Sequence, residues 1–144
     1  MKYLKSLLKP VSYGTTADIG LLILRAGVGL MMTTHGWPKL MKYQDKAEGF
    51  FDFMGLGGPV SMALAIFAEL FCSIFLVLGI GTRAILIPLI ITTGVIAFVV
   101  HGPDPYADKE HGLLFMAGYL CLLFTGPGKY SLDYAILSRT KQNL

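Results

Sequence analysis

Three ionisable side chains interrupt a long apolar stretch near the start of the chain. The stretch is Asp18–Leu40, and it contains Arg25, His35 and Lys39. At about 1.5 Å of rise per residue, a helix of this length crosses a hydrocarbon layer of roughly 30 Å. Because an Arg or Lys at the centre of a bilayer costs about 2.5–3.5 kcal/mol, such groups face other helices, water or a ligand. The stretch therefore predicts a polar interior that the rest of the chain completes.

Helical spacing places these three residues together with two glycines. At about 100° per residue, Arg25, His35 and Lys39 share one broad face with Gly29 and Gly36. Glycine lets a neighbouring backbone approach closely. Small residues beside polar ones predict a helix–helix interface with a site in it.

A carboxylate in the second apolar segment is the natural partner for one of these cations. Glu69 lies about halfway along that segment, where an unpaired carboxylate is costly or becomes protonated. Arg25 is the only Arg inside a span, and its long side chain can reach the depth expected for Glu69. We therefore predict a buried Arg25–Glu69 ion pair. The pair either fixes helix register or forms a charged wall for a polar head group or a proton path.

A second group of titratable residues lies where the third apolar segment ends and the fourth begins. It comprises His101, Glu110 and His111, which an up-down-up-down helix topology brings to the same end as His35 and Lys39. Imidazoles and carboxylates are metal ligands, but the sequence has no E-x-x-H or H-x-x-x-H spacing, so we expect no metal. Because imidazole titrates near neutral pH, these histidines can instead pass protons or bind a quinone carbonyl.

Four apolar segments must position these residues. They are Asp18–Leu40, Pro59–Gly79, Ala84–Val100 and about His111–Thr125. For the fourth segment, an earlier start near Asp108 stays open. Pro and Gly at the bounds of the second segment suit a helix start and a helix stop. The connector between the first two segments alternates charges and carries clustered Phe residues, which predicts an interfacial helix or a re-entrant turn.

Composition restricts the class of protein. The 144 residues are 54% hydrophobic and only 15% charged, whereas soluble domains carry about 25% charge. We predict an all-α, integral membrane four-helix bundle. The net charge of +3 is too small and dispersed to indicate nucleic acid. The N-terminal arm, the second turn and the tail carry seven basic residues, and the first and third connectors carry four. Since the side with more Lys and Arg is cytoplasmic, we predict both termini in the cytoplasm. The seven are Lys2, Lys5, Lys9, Arg83, Lys129, Arg139 and Lys141; the four are Lys39, Lys42, Lys46 and Lys109.

The chain divides into an N-terminal amphipathic cytoplasmic arm at 1–17, a four-helix transmembrane domain at 18–135 and a C-terminal cytoplasmic tail at 136–144. The arm spaces leucines against lysines, which predicts a helix on the membrane surface, with a frayed tail as the alternative. Cys72 and Cys121 lie in apolar segments without C-x-x-C spacing, so we expect buried thiols. A redox pair would require the two helices to touch at that depth.

Short motifs follow one another in a fixed order along the chain. They are LRAGVG at 24–29, HGWPK at 35–39, Ala68-Glu69, Gly79 followed by Thr82-Arg83, His101, Glu110-His111, and GPGKYSLD at 126–133. Their order and spacing resemble the DoxX family of small bacterial membrane proteins, over about residues 18–135.

The resemblance implies a four-helix bundle in the bacterial inner membrane and a relationship to DoxD, the small subunit of a thiosulfate:quinone oxidoreductase. It also implies that the family's polar positions fall on Arg25, His35, Lys39, Glu69, Arg83, His101 and Glu110. We expect a subunit of a membrane redox system that binds a quinone or lipid-like ligand in a polar intramembrane cavity lined by Arg25, His35, Lys39, Glu69, His101, Glu110 and His111.

The alternative is a non-catalytic membrane binder or scaffold for a lipid or a partner protein. The sequence assigns no catalytic residue, and a quinone is the candidate cofactor. The candidate partners are membrane lipids, a partner redox protein and a second copy of the chain.

Overall fold

The computed structural model describes residues 11–142, and each regular element in that range is a helix. The helices are α1 (Thr15–Met41), α2 (Tyr43–Lys46), α3 (Gly58–Leu78), α4 (Thr82–Val100), α5 (Tyr106–Thr125) and α6 (Leu132–Gln142). Most of the arm predicted at 1–17 lies outside the described residues.

The four predicted apolar segments correspond to α1, α3, α4 and α5. Gly79 ends α3 in the left-handed conformation, with φ of 71°, as its position in the sequence indicates. Helix α5 begins at Tyr106, directly after Pro105, and therefore earlier than His111. Helix α6 crosses the predicted boundary between the transmembrane domain at 18–135 and the C-terminal tail at 136–144.

Among residues 11–142, three helices are long and apolar enough to cross a membrane, namely α1, α3 and α4. Helix α5 is 20 residues long, and Asp108, Lys109 and Glu110 make its first turns polar. Large apolar side chains such as Ile23 and Phe98 are more than 60% exposed on the outer faces of the helices. This exposure fits helices whose outer faces contact lipid.

The long helices pack in a closed arrangement. Helix α1 contacts α3 and α5, and α4 contacts the same two helices, so each of the four has two neighbours. Between them lies a core of buried side chains, formed by Leu21, Met32, Cys72, Leu76, Leu86, Leu89, Phe115, Tyr119 and Leu122. Both cysteines are free; Cys72 is buried and Cys121 is exposed.

Two glycines fix the antiparallel register of α1 against α3. A Cβ atom at Gly36 would lie 2.7 Å from the backbone nitrogen of Leu70, and one at Gly29 would lie 3.1 Å from the carbonyl oxygen of Ser73. Real Cβ atoms do not make the contact found at Gly36, and the contact at Gly29 would require the α3 backbone to shift slightly, so the two glycines allow the helices to pack this closely.

The segment between α5 and α6 closes the end where α3 and α4 are joined. The Asp133 carboxylate accepts hydrogen bonds from the backbone nitrogens of Gly81 and Thr82, at 2.8 and 2.9 Å, and so caps the start of α4. The Arg83 Nε donates to the carbonyl oxygen of Leu123 at 3.0 Å, near the end of α5. The first two bonds give Asp133, the last residue of the GPGKYSLD motif, a structural role at this end of the protein.

Candidate functional site

A cavity of about 620 Å³ lies between the long helices at the end where α4 is joined to α5. Most of its wall is apolar, and its larger apolar lining residues are Met32, Phe50, Phe51, Phe53, Leu64, Phe67, Ile91, Ile96 and Phe115. Small-molecule sites in proteins are typically about 300–1,000 Å³, with mostly apolar walls and a few polar groups. The volume and the lining are those of a ligand site.

An ion pair lies in the lining of the cavity. The Lys39 Nζ donates to Glu69 Oε2, and both residues line the cavity. The Glu69 side chain is 1% exposed, whereas that of Lys39 is 27% exposed. The carboxylate is therefore the buried anchor, and the ammonium is the partner that a ligand in the cavity can reach.

This pairing corrects the predicted Arg25–Glu69 pair. Arg25 instead donates from Nη2 to the carbonyl oxygen of Tyr130 at 2.6 Å, and its guanidinium lies against Gly79. Gly79 is ten residues beyond Glu69 on α3, which corresponds to about 15 Å along a helix. Arg25 is therefore absent from the cavity lining, since the glycine contacts bring Lys39 rather than Arg25 to the level of Glu69.

The three histidines of the sequence all line the cavity, as His35, His101 and His111. The His35 ring meets Phe115 edge to face, with ring centroids 6.0 Å apart. The His101 Nδ1 lies 2.8 Å from a carboxylate oxygen of Asp104. Such a carboxylate orients the imidazole.

Glu110, also predicted for the site, is exposed and does not line the cavity. Asp108 lines it instead, on the same face of α5 as His111 and Phe115. The spacing of these three residues, i, i+3 and i+7, is that of one helix face, whereas Glu110 is rotated away. That spacing in the sequence was a signal that could have identified Asp108.

The aromatic side of the cavity comes from the connector between α2 and α3. Its phenylalanines were noted in the sequence only as a cluster. The backbone nitrogen of Phe53 donates to Ser61 Oγ at 2.9 Å, and that of Gly57 donates to Asp52 Oδ1 at 2.9 Å. The Tyr43 hydroxyl donates to the carbonyl oxygen of Pro59 at 3.0 Å. These bonds hold the connector folded against the cavity.

Two π-helical segments border the cavity. Phe67–Cys72 lies within α3 and includes Glu69, and Ile96–Val100 ends α4 immediately before His101. A π-helical turn inserts a residue into the α-helical pattern, rotates the side chains that follow, and is frequent at functional sites. Here the two segments present the Glu69 carboxylate and the His101 imidazole to the same cavity.

The donor groups are spread along the cavity. Within residues 11–142, no group of three or more His, Cys, Asp or Glu residues stands close enough to hold a metal ion. The polar groups are instead spaced so that a ligand can contact an ammonium group at one point and imidazoles at others. This arrangement suits hydrogen bonding to the oxygens of an organic ligand.

Comparisons with known proteins relate this chain to proteins of the bacterial inner membrane. The DoxX family model matches residues 20–102. Inner membrane protein YqjF of Escherichia coli (strain K12) is 30% identical over 122 residues, covering 81% of this chain and 91% of that protein. Inner membrane protein YphA of the same organism is 31% identical over 140 residues, covering 88% and 96%. No solved structure gives a significant match. With three candidate spans, the chain is a multi-pass protein of the bacterial inner membrane.

Proposed function

We propose a function from one premise: this chain belongs to the DoxX family. In our proposal the four long helices form a four-helix bundle across the inner membrane, with both termini in the cytoplasm. The closed packing of α1, α3, α4 and α5 supports the bundle. The excess of Lys and Arg at the termini and at the α3–α4 turn supports the orientation. The cavity then lies toward the outer side of the membrane.

The cavity binds a quinone or another lipid-like ligand, and the protein is a subunit of a membrane redox system. The observation that carries this proposal is an apolar, aromatic cavity with a buried ion pair and three imidazoles in its lining. Phenylalanines offer stacking surfaces for a flat ring, and the apolar wall accommodates a hydrocarbon tail. Lys39 donates a hydrogen bond to a carbonyl or head-group oxygen while Glu69 holds its side chain in place.

The histidines supply proton exchange at the same site. Reduction of a quinone to a quinol consumes two electrons and two protons, and oxidation of the quinol releases them. A partner redox protein supplies or removes the electrons in this proposal. Imidazoles at His35, His101 and His111 exchange the protons with water.

The test is mass spectrometry of small molecules that copurify with the protein in mild detergent. We expect wild type to retain quinone at near one molecule per chain. Glu69→Gln and His35→Ala should each reduce this content at least tenfold. Glu48→Gln and Thr34→Ala are the matched controls, because both residues are exposed and neither lines the cavity. The controls should retain the ligand.

Two outcomes argue against this function. Equal quinone content in all variants would mean that the ligand is carried by the detergent micelle and not by the cavity. A stable partner protein without any enriched ligand or redox change would support a non-catalytic binder or scaffold instead.

A further inference from the structure

Several buried polar atoms inside the protein lack any hydrogen-bond partner. Within the described residues they are Nε and Nη1 of Arg25 and the hydroxyl oxygens of Ser73, Thr82 and Tyr119. A buried polar group left unpaired costs about 1–3 kcal/mol, and the common solution in proteins is an internal water molecule. At each of these atoms an internal water molecule would complete the hydrogen bonding.

The hydroxyl groups of Ser73 and Tyr119 lie next to Glu69, which lines the cavity. Ser73 is one helical turn beyond Glu69 on α3, and both side chains are buried. The Tyr119 hydroxyl of α5 is close enough to the Ser73 hydroxyl and to Glu69 to interact with both, yet neither hydroxyl has a partner at ordinary hydrogen-bond distance and angle. Gly29 packs on the carbonyl oxygen of Ser73. Arg25 lies one helical turn before Gly29 on α1.

The remaining groups lead to the opposite end of the protein. The Arg25 guanidinium lies against Gly79, whose carbonyl oxygen accepts a hydrogen bond of 2.8 Å from the Asp133 nitrogen. The Asp133 carboxylate is near enough to Arg25 to interact with its charge, and it accepts from the Thr82 nitrogen at 2.9 Å. Unlike Glu69, Asp133 is partly exposed. One carboxylate thus stands at each end of a line of unpaired polar groups.

We propose that this line is a proton path between the cavity and the cytoplasmic face. The distance from the level of Glu69 to that of Gly79 is about 15 Å along α3, which requires several water molecules between the fixed groups. Hydroxyl groups and waters both donate and accept hydrogen bonds, so a proton can pass along them by successive exchange. One proton enters at Glu69 and one leaves at Asp133, and no intermediate group changes its net protonation.

Arg25 has a different part in this path. Its guanidinium stays protonated and only donates, so it holds water through Nε and Nη1 without relaying protons itself. Its positive charge raises the electrostatic barrier to any cation, and the nearby Asp133 carboxylate lowers that barrier. This inference goes beyond the proposed function, because proton movement through the path needs no ligand in the cavity.

The experiment measures proton flux into liposomes that contain the purified protein and an internal pH-sensitive dye. A potassium gradient with valinomycin supplies the driving voltage. We expect wild type to conduct protons above the rate of protein-free liposomes. Tyr119→Phe and Ser73→Ala should each reduce that excess at least tenfold, because each removes a hydroxyl without adding charge. Tyr106→Phe and Ser138→Ala remove the same groups from exposed positions and should conduct as wild type does.

Folding is controlled separately, by thermal unfolding of each variant. Neither hydroxyl under test has a partner at ordinary hydrogen-bond distance and angle, so we expect unfolding temperatures close to that of wild type. The proposal is overturned if wild type conducts no faster than protein-free liposomes, or if Tyr119→Phe and Ser73→Ala both conduct as wild type does. Quinone content of the same samples reports on the proposed function. Bound quinone without flux refutes the path alone, and flux without bound quinone refutes the ligand assignment alone.

Discussion

Replacing Lys39 by Met should destabilise the protein, and adding Glu69→Gln should restore about half of the loss. In Lys39→Met, Glu69 keeps a carboxylate that is 1% exposed and has lost its cation. Removing one partner of a fully buried ion pair costs about 3–5 kcal/mol, whereas an exposed pair contributes about 0–1 kcal/mol. Because the Lys39 side chain is 27% exposed, the pair falls between these limits. We expect Lys39→Met to cost about 2 kcal/mol.

The double variant separates this pair from the one that the sequence predicted. Glu69→Gln alone should cost about 1 kcal/mol, since Lys39 can still reach water. The double variant Lys39→Met/Glu69→Gln should cost about the same, which gives a coupling free energy of about 2 kcal/mol. Arg25→Met should also destabilise, because Arg25 loses its bond to the carbonyl oxygen of Tyr130. Its coupling with Glu69→Gln should stay below about 0.5 kcal/mol.

The protein provides its own reporter of unfolding. Cys72 is 1% exposed, and Cys121 is the other cysteine. In a Cys121→Ser background, a thiol-reactive fluorescent dye labels Cys72 only in unfolded chains, so the labelled fraction across a denaturant series gives the free energy of unfolding.

The result that would refute the reasoning is a reversed pattern of coupling. If Glu69→Gln relieves the destabilisation caused by Arg25→Met and leaves that of Lys39→Met unchanged, Glu69 pairs with Arg25 and the register deduced for α1 and α3 is incorrect.

Two further predictions use the same unfolding assay. Gly36→Ala should cost about 1–3 kcal/mol, because the new Cβ would lie 2.7 Å from the backbone nitrogen of Leu70. Gly27→Ala is the control on the same helix; its Cβ meets no atom within 4 Å, so it should be neutral or stabilising. Equal losses of stability in both variants would refute the close contact at Gly36. Asp133→Ala should cost about 1–2 kcal/mol by removing the cap of α4. Asp45→Ala, at an exposed position, is its control. Equal free energies of unfolding for the two variants would argue against the cap.

The positions of the long helices could be predicted because hydropathy and stop signals are local. The left-handed Gly79 ends α3 where the sequence indicates. The start of α5 is less evident, because its first turns, from Tyr106, are polar and lack the apolar periodicity used to recognise a helix. Pro105 before the helix is the only local sign of that start.

The choice of ionic partners could not be predicted, because it depends on the register between two helices. The sequence places Arg25 and Lys39 on one face of α1 but does not say which of them stands opposite Glu69. Backbone contact at Gly36 decides this, and it requires three-dimensional packing. The π-helical turn at Glu69 adds a rotation that no periodic pattern contains.

The residues that line the cavity could be predicted from the sequence only in part, for a related reason. His35, His101 and His111 could be brought together by topology alone, because each lies near a helix end on one side of the assembly. The phenylalanines of the connector could not, since their place depends on hydrogen bonds such as that from Phe53 to Ser61.

The contacts at Gly29 and Gly36 also limit how the protein can assemble. The two glycines are two helical turns apart, so a shift of α1 along α3 would lose both contacts together. The same shift would strand the Glu69 carboxylate and the Arg25 guanidinium in apolar surroundings simultaneously. Misaligned insertion therefore carries a combined steric and electrostatic penalty, and the two glycines of this interface select the alignment in which Lys39 meets Glu69 and Arg25 meets the carbonyl oxygen of Tyr130.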